Sequence, residues 1–305
     1  MRICDAAETA RRLPYDRLVP AIADVLRKRR DGGVHASARA HLPLPGDGTF
    51  LSMPAADERI AMTKLVSVCP GNRERGLPTV TGVVAAMDAA TGAVLGLLDG
   101  YTLTARRTAA LSAVAARVLA VRPDGPLVVV GAGTQARGHV EAFREVLGVR
   151  EVTVCGRSRE RAEALADFAT GLGMAARVGD DVSKAVRGAA LVVTATTSAT
   201  PVLPDSLDAG TFVAAVGAFR PHMAELPATL VNAPATRLYC DTLDGVRSEA
   251  GDYLLAGVDW SRVVELQAAL DAPSDTAGAA TGPTLFKGVG HAVFDLAATA
   301  CALLA

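Results

Sequence analysis

The chain has 305 residues, 50% of them hydrophobic and 21% charged, with a formal net charge of -1. That length suits two ordinary domains or one large one, and the apolar content supports a large core and argues against disorder. The near-neutral balance, with no long basic run interleaved with aromatics, argues against nucleic acid as a partner.

Residues 5–30 read as helical. Asp5 can cap a first helix ending near Arg12, and "PYDRLVPAIADVLRKR" then puts Leu18, Ile22, Val25 and Leu26 on one face. "RKRRDGG" (27–33) reads as the solvated end of that helix, closed by Gly32, rather than as a basic patch. A strand-rich stretch follows: "ARAHLPLP", "TFLSMPA", "IAMTKLVSV", and two apolar runs around Asp88–Gly92 that signal a hairpin. Residues 102–120 predict an Ala-rich helix. After Pro123-Asp-Gly-Pro126, strands and helices alternate: "LVVVGAG", "EVTVCGR", "LVVTATT", "TFVAAVGA" and "RLYCDT", with helices between. That alternation predicts a parallel sheet covered on both faces. Residues 271–290 read as loop-like and lead to a last helix over 291–304.

Cys4, Cys69, Cys155, Cys240 and Cys301 are odd in number, far apart and without a CxxC pair. That argues against a disulfide framework or zinc site and for a reducing, cytoplasmic setting. His41, His139, His222 and His291 share no ligand-like spacing, so no metal site is expected. The charged N-terminus lacks a signal-peptide core, and no run of about 18 apolar residues predicts a membrane span.

The strongest local motif is "LVVVGAGTQARGHV" (127–140): an apolar strand, Gly131-Ala-Gly133-Thr134-Gln135-Ala136, then a helix. This G-x-G-x-x-A pattern points to a dinucleotide. Gly131 permits the turn, Gly133 lets backbone approach a pyrophosphate, and Ala136 allows close helix–strand packing. The helix N-terminus offers its free N–H groups to the phosphates. At the end of the next strand, "VTVCGRSRE" places Arg157, Ser158 and Arg159 where an NAD site usually carries an acid, which favours NADPH, with NADH less favoured. Thr194, Ala195 and Thr196 end a strand on the cofactor side. In "VGAFRP", Gly217 and Ala218 would leave room for the nicotinamide, and Val216 and Gly217 are candidate cofactor contacts. His139 reads as surface, Glu225 as structural, and Asp241 and Asp244 as helix caps.

Cations are scattered through the first part: Arg39, Lys64 and Arg106-Arg107. Taken singly, Arg39 reads as surface and Lys64 as a lysine snorkelling from a strand edge. Together with "MPA" (53–55), residues 63–92, "TARRTAALSAVAARVLA" (104–120) and "GAGTQARGHVEAF" (131–143), they resemble the ornithine cyclodeaminase/mu-crystallin family over nearly the whole chain. The resemblance implies an α/β protein: a Rossmann-type dinucleotide-binding domain (122–288) and an α+β substrate-binding and dimerisation domain built from both chain ends (1–121 with 289–305). It implies that Arg39, Lys64 and Arg107 bind a substrate carboxylate, with Met53 beside them. It also places Thr79, Thr81, Arg107 and Thr108 near the cofactor phosphates, and Lys287 near the cofactor.

Family members include cyclodeaminases, ketimine reductases, alanine and opine-type dehydrogenases and a non-catalytic binding crystallin. The chain departs from the cyclodeaminase pattern at two positions, where Phe219 and Leu51 stand in place of carboxylates. The pattern resembles the bacterial 1-pyrroline-2-carboxylate/1-piperideine-2-carboxylate reductases. That implies an NADPH-dependent homodimer reducing a small cyclic imino acid, with Phe219 as an apolar wall and Lys64 as proton donor. Cyclodeaminase, alanine/opine-type dehydrogenase and binding-protein readings stay open at this point.

Overall fold

The structure, a computed structural model, describes residues 1–271 and 281–304. The loop reading for 271–290 therefore lies outside the described residues over 272–280. The first half of the chain runs β1 (Arg2–Cys4), α1 (Ala6–Arg11), α2 (Tyr15–Arg30), β2 (His35–Ala36), β3 (Ala40–Leu44), β4 (Gly48–Ala56), β5 (Ile60–Val68), β6 (Val80–Asp88), β7 (Val94–Asp99) and α3 (Gly100–Leu119). There follow β8 (Leu127–Val130), α4 (Thr134–Ala142), β9 (Glu151–Cys155), α5 (Arg159–Gly171), β10 (Ala175–Gly179), α6 (Val182–Ala185), β11 (Leu191–Thr194) and β12 (Phe212–Ala215). The last elements are α7 (Ala228–Asn232), β13 (Arg237–Cys240), α8 (Leu243–Glu249), α9 (Gly251–Ala256), β14 (Val263–Glu265), α10 (Leu266–Ala269), β15 (Thr284–Lys287) and α11 (Ala292–Leu303).

The chain divides into two compact units: Met1–Arg107 with His291–Ala305, and Thr108–Gly290. The division falls inside α3, earlier than the 121/122 boundary expected from the Pro-Gly punctuation. The second half of α3 is tied within the second unit, where Ser112 Oγ lies 2.9 Å from His139 Nε2 and Arg117 donates to the Val146 carbonyl.

In the first unit, Asp5 caps α1 by accepting from the Glu8 N–H at 2.8 Å. In α2, Leu18, Ile22, Val25 and Leu26 are all buried, as the 3.6-residue period requires. The sheet has the order β1-β7-β6-β5-β4-β2, with β3 also paired to β4. Helix α11 packs on α2 and across β4 and β5. One sheet face buries Met53, Met62, Lys64, Val84 and Ala86; the other carries Leu65, Val83 and Ala85, each half-buried.

The second unit is an eight-stranded sheet of order β10-β9-β8-β11-β12-β15-β13-β14, parallel throughout. Every residue of β8, β11, β12 and β15 is buried, as expected of a sheet covered on both faces. The chain leaves β8 towards β9 and β10, then returns to β11 on the other side. The carboxyl ends of β8 and β11 therefore form the topological switch point, where open α/β sheets bind their ligands.

Candidate active site

Within the first unit, three charged side chains far apart in the chain meet in a dry place. Lys64 lies mid-β5, opposite Met53 of β4 and Val84 of β6, and is 3% exposed. Its Nζ stands 2.7 Å from Asp295 Oδ2 and 3.3 Å from the Thr104 hydroxyl. Arg107, on α3, donates from Nε to Asp295 Oδ1 at 2.9 Å. Asp295 lies on α11 and is fully buried. Burial pushes the Lys64 ammonium down to about 8; the Asp295 charge opposes the shift, while Arg107 and Arg39 add to it. Burial works to raise the Asp295 carboxyl, yet Lys64 and Arg107 outweigh it and hold it below the usual carboxylate value.

The sequence reading missed Asp295. The available signal is a single acid inside the otherwise apolar "AVFDLAATACAL" of α11, since a lone carboxylate there needs a cation. Arg39 is half-buried and close enough for its charge to act on Lys64. Met53, 5% exposed, sits beside Lys64 in register, and Leu51, two residues earlier, shares its face. Arg106 serves structure: it stacks 4.1 Å over the Tyr15 ring and donates to the Leu13 carbonyl. Thr79 and Thr81 are exposed, and Thr108 is half-buried.

In the second unit, Gly131 follows β8 with φ +118°, and a Cβ there would lie 2.5 Å from the Ala195 carbonyl oxygen. Only glycine lets the β8 turn come this close to the end of β11. Gly133 is the N-cap residue of α4 and, being glycine, gives it no side-chain cap, and a Cβ on Gly133 would meet nothing within 4 Å. The first turn of α4, Thr134, Gln135 and Ala136, thus begins beside a glycine whose missing side chain leaves open space. These residues fit a dinucleotide pyrophosphate. Ala136 is fully buried against the sheet.

At the end of β9, Ser158 caps α5, and Arg157 is exposed with no ion pair among the described residues. Arg159, expected to face a 2′-phosphate, instead reaches Glu163 at 2.8 Å and Asp180 at 2.9 Å. Its charge is already balanced by two carboxylates the sequence reading did not weigh.

Further placements differ from expectation. Thr194 is wholly buried and donates its hydroxyl to Glu225 Oε2 at 2.9 Å, so it presents nothing to a ribose. Lys287 is wholly buried at the end of β15, its ammonium 2.7 Å from Asp252 Oδ2, and is not exposed to a cofactor. Both follow from lying on central strands of a sheet covered on both faces. His139, read as surface, is buried, bonded at Nδ1 to the Gln135 carbonyl and at Nε2 to Ser112; burial pushes it down to about 4. Asp241 does not cap α8, a role Thr242 takes; it accepts from the Val289 and Gly290 N–H groups. Thr196 and Val216 are half-buried, Gly217 and Ala218 buried, and Phe219 43% exposed at the tip beyond β12.

None of the five cysteines is in a disulfide. Among the described residues there is no cluster of His, Cys, Asp and Glu suited to a metal, and no helix long and apolar enough to cross a membrane.

Fold and site define a two-unit α/β protein with a Rossmann-type dinucleotide-binding unit. The model of the ornithine cyclodeaminase/mu-crystallin family matches residues 1–302, and the chain belongs to that family. It is 39% identical over 298 residues to the Delta(1)-pyrroline-2-carboxylate/Delta(1)-piperideine-2-carboxylate reductase of Azospirillum brasilense, covering 97% of this chain and 93% of that one. Among solved structures it resembles the Thermococcus litoralis Delta(1)-pyrroline-2-carboxylate reductase in complex with NADH and L-proline (TM-score 0.92, 25% identity, 100% of this chain and 97% of that one). It also resembles an archaeal alanine dehydrogenase dimer with bound NAD (TM-score 0.90, 25% identity, 99% and 94%).

Proposed function

We propose that the protein is an NADPH-dependent reductase of cyclic α-imino acids, converting 1-pyrroline-2-carboxylate to L-proline and 1-piperideine-2-carboxylate to L-pipecolate. The observation that carries this reading is the charge count of the buried cluster. Lys64 and Arg107 face one carboxylate, Asp295, with Arg39 nearby. Two buried cations against one anion leave a positive remainder, which is costly until a second anion arrives. A substrate carboxylate supplies it and is thereby fixed in orientation. Phe219 and Leu51, apolar where a diamine substrate needs acids, favour an apolar ring over ornithine. Relatives named for these two reductions support the same reading.

Gly131, Gly133 and the α4 N-terminus would hold a nicotinamide dinucleotide, whose chemistry would be hydride supply for substrate C2. Arg157 and Ser158 favour the 2′-phosphate form. Lys64, brought down to about 8 by burial and so still charged at neutral pH but able to give up its proton, keeps the imine nitrogen protonated or holds the iminium through a shared proton. Arg107 and Arg39 hold the carboxylate, Asp295 fixes the orientations of Arg107 and Lys64, and Met53, in register beside Lys64, keeps water from the clamp.

The half-buried apolar face of Leu65, Val83 and Ala85 supports a homodimer, as does the dimeric alanine dehydrogenase relative; a monomeric mass by light scattering would count against it. Five scattered cysteines, none in a disulfide, support a cytoplasmic setting, which cell fractionation tests. The test of the activity is NADPH oxidation by the purified chain with each imine in turn. Consumption of either supports the reading, and consumption of neither overturns it.

A further inference from the structure

A second buried charge cluster lies inside the Rossmann unit, at the carboxyl ends of β11, β12 and β15. Glu225 is fully buried. Its Oε2 accepts from the Thr194 hydroxyl at 2.9 Å and from the N–H groups of Gly217 at 2.7 Å and Ala218 at 3.3 Å; its Oε1 accepts from the Thr196 N–H at 2.7 Å. One carboxylate thereby ties the end of β11 to the strand tip beyond β12. The fit is close enough that a Cβ on Gly217 would lie 2.4 Å from Glu225 Oε1.

Asp252 stands behind it. Its Oδ1 accepts from the Glu225 and Leu226 N–H groups, and its Oδ2 lies 2.7 Å from Lys287 Nζ. Asp252 and Lys287 balance each other, so an ionised Glu225 leaves the cluster one net negative charge. Three backbone N–H donors and a hydroxyl converge on it, an arrangement that suits the ionised carboxylate. Burial, joined by the nearby Asp252 charge, holds this acid above the usual carboxylate value, against the opposing pull of Lys287 and Thr196.

In a doubly wound sheet the second half, here β11 and β12, receives the nicotinamide side of the dinucleotide. That ring is neutral when reduced and positively charged when oxidised. We propose that Glu225 is a positioning residue for this half of the site, clamping the β11 and β12 ends together, and that its uncompensated charge favours the oxidised, cationic nicotinamide. Hydride departure from the ring is then assisted, because positive charge develops near a fixed anion in a water-poor place. The inference rests on the dinucleotide reading above.

The test measures the affinity of NADP+ and NADPH separately, by calorimetry or quenching of protein fluorescence. The unsubstituted chain is compared with Glu225→Gln, which removes the charge. It is also compared with Asp252→Asn, which keeps Glu225 but frees Lys287 to neutralise it. Both variants are expected to weaken NADP+ relative to NADPH, by roughly tenfold or more for Glu225→Gln, since one charge at about 12 Å and an effective dielectric of about 20 already gives about tenfold. A purely structural role would weaken both forms in parallel, and an unchanged ratio in the variants that fold overturns the inference. Because Asp252→Asn leaves the clamp in place, it decides the matter if Glu225→Gln does not fold. If the unsubstituted chain binds neither NADP nor NAD in either redox state, the dinucleotide reading itself fails.

Discussion

Lys64 carries two jobs that pull its protonation in one direction. It must be charged to hold a carboxylate and to keep an imine protonated, yet burial has brought it down to about 8. The expected consequence is a pH profile in which kcat/KM for the imine falls as pH rises through about 8, because the deprotonated amine does neither job. Lys64→Met should lose about 100-fold or more in kcat/KM, within the ordinary range for a general acid. A flat profile from pH 7 to 9 would remove Lys64 from the proton path. Phe219 is the other test at this scale. Placing a carboxylate there with Phe219→Asp should abolish imine reduction while leaving NADPH binding within a few-fold. Imine reduction at the original rate would mean that this side chain does not meet the substrate.

Helix α11 shows how an element's role can depend on one residue. It is apolar along nearly its whole length and packs on α2 and the first sheet, as its composition requires. Asp295 sits within it because two cations on other elements need an anion there. Asp295→Ala would leave Lys64 and Arg107 buried without a partner, and removing one member of a buried pair typically costs about 3–5 kcal/mol. Chemical denaturation should report a loss of that order together with poor substrate binding. A loss below about 1 kcal/mol would mean that the cations relax outward to water. At the same scale, the β8 turn needs Gly131 for two separate reasons, the positive φ and the Ala195 carbonyl.

For the molecule as a whole, Lys64 links stability to pH. Its folded value, about 8, lies below the ordinary 10.5, so between those values the unfolded chain binds more protons than the folded one. Stability contributed through this lysine therefore rises as pH goes from about 8 to 10.5 and is lost again below. Asp295, held low when folded, acts in the acid range: its contribution is present above the ordinary carboxylate value and is lost as pH falls through the folded value. Unfolding curves at pH 7.5 and 9.5 should show a gain on the alkaline side that Lys64→Met lacks. An identical pH response in the two proteins would show that Lys64 is not perturbed as its burial demands.

The sequence by itself determined what depends on near neighbours in the chain. The strand–glycine turn–helix at 127–140, the hairpin at Asp88–Gly92 and the amphipathic α2 were legible because backbone sterics and residue periodicity act over a few positions. Lys64 was legible as an oddity for the same reason, a charge flanked by apolar residues. Only the tertiary structure decided which charges meet. Asp295 is far from Lys64 in sequence, and only the strand order and the return of α11 bring them to 2.7 Å. The same limit hid Asp180 beside Arg159 and the Asp252 partner of Lys287, and it made His139 look like surface. Burial and ion pairing are properties of packing between distant segments, and a carboxylate's partner is set by the topology that delivers it.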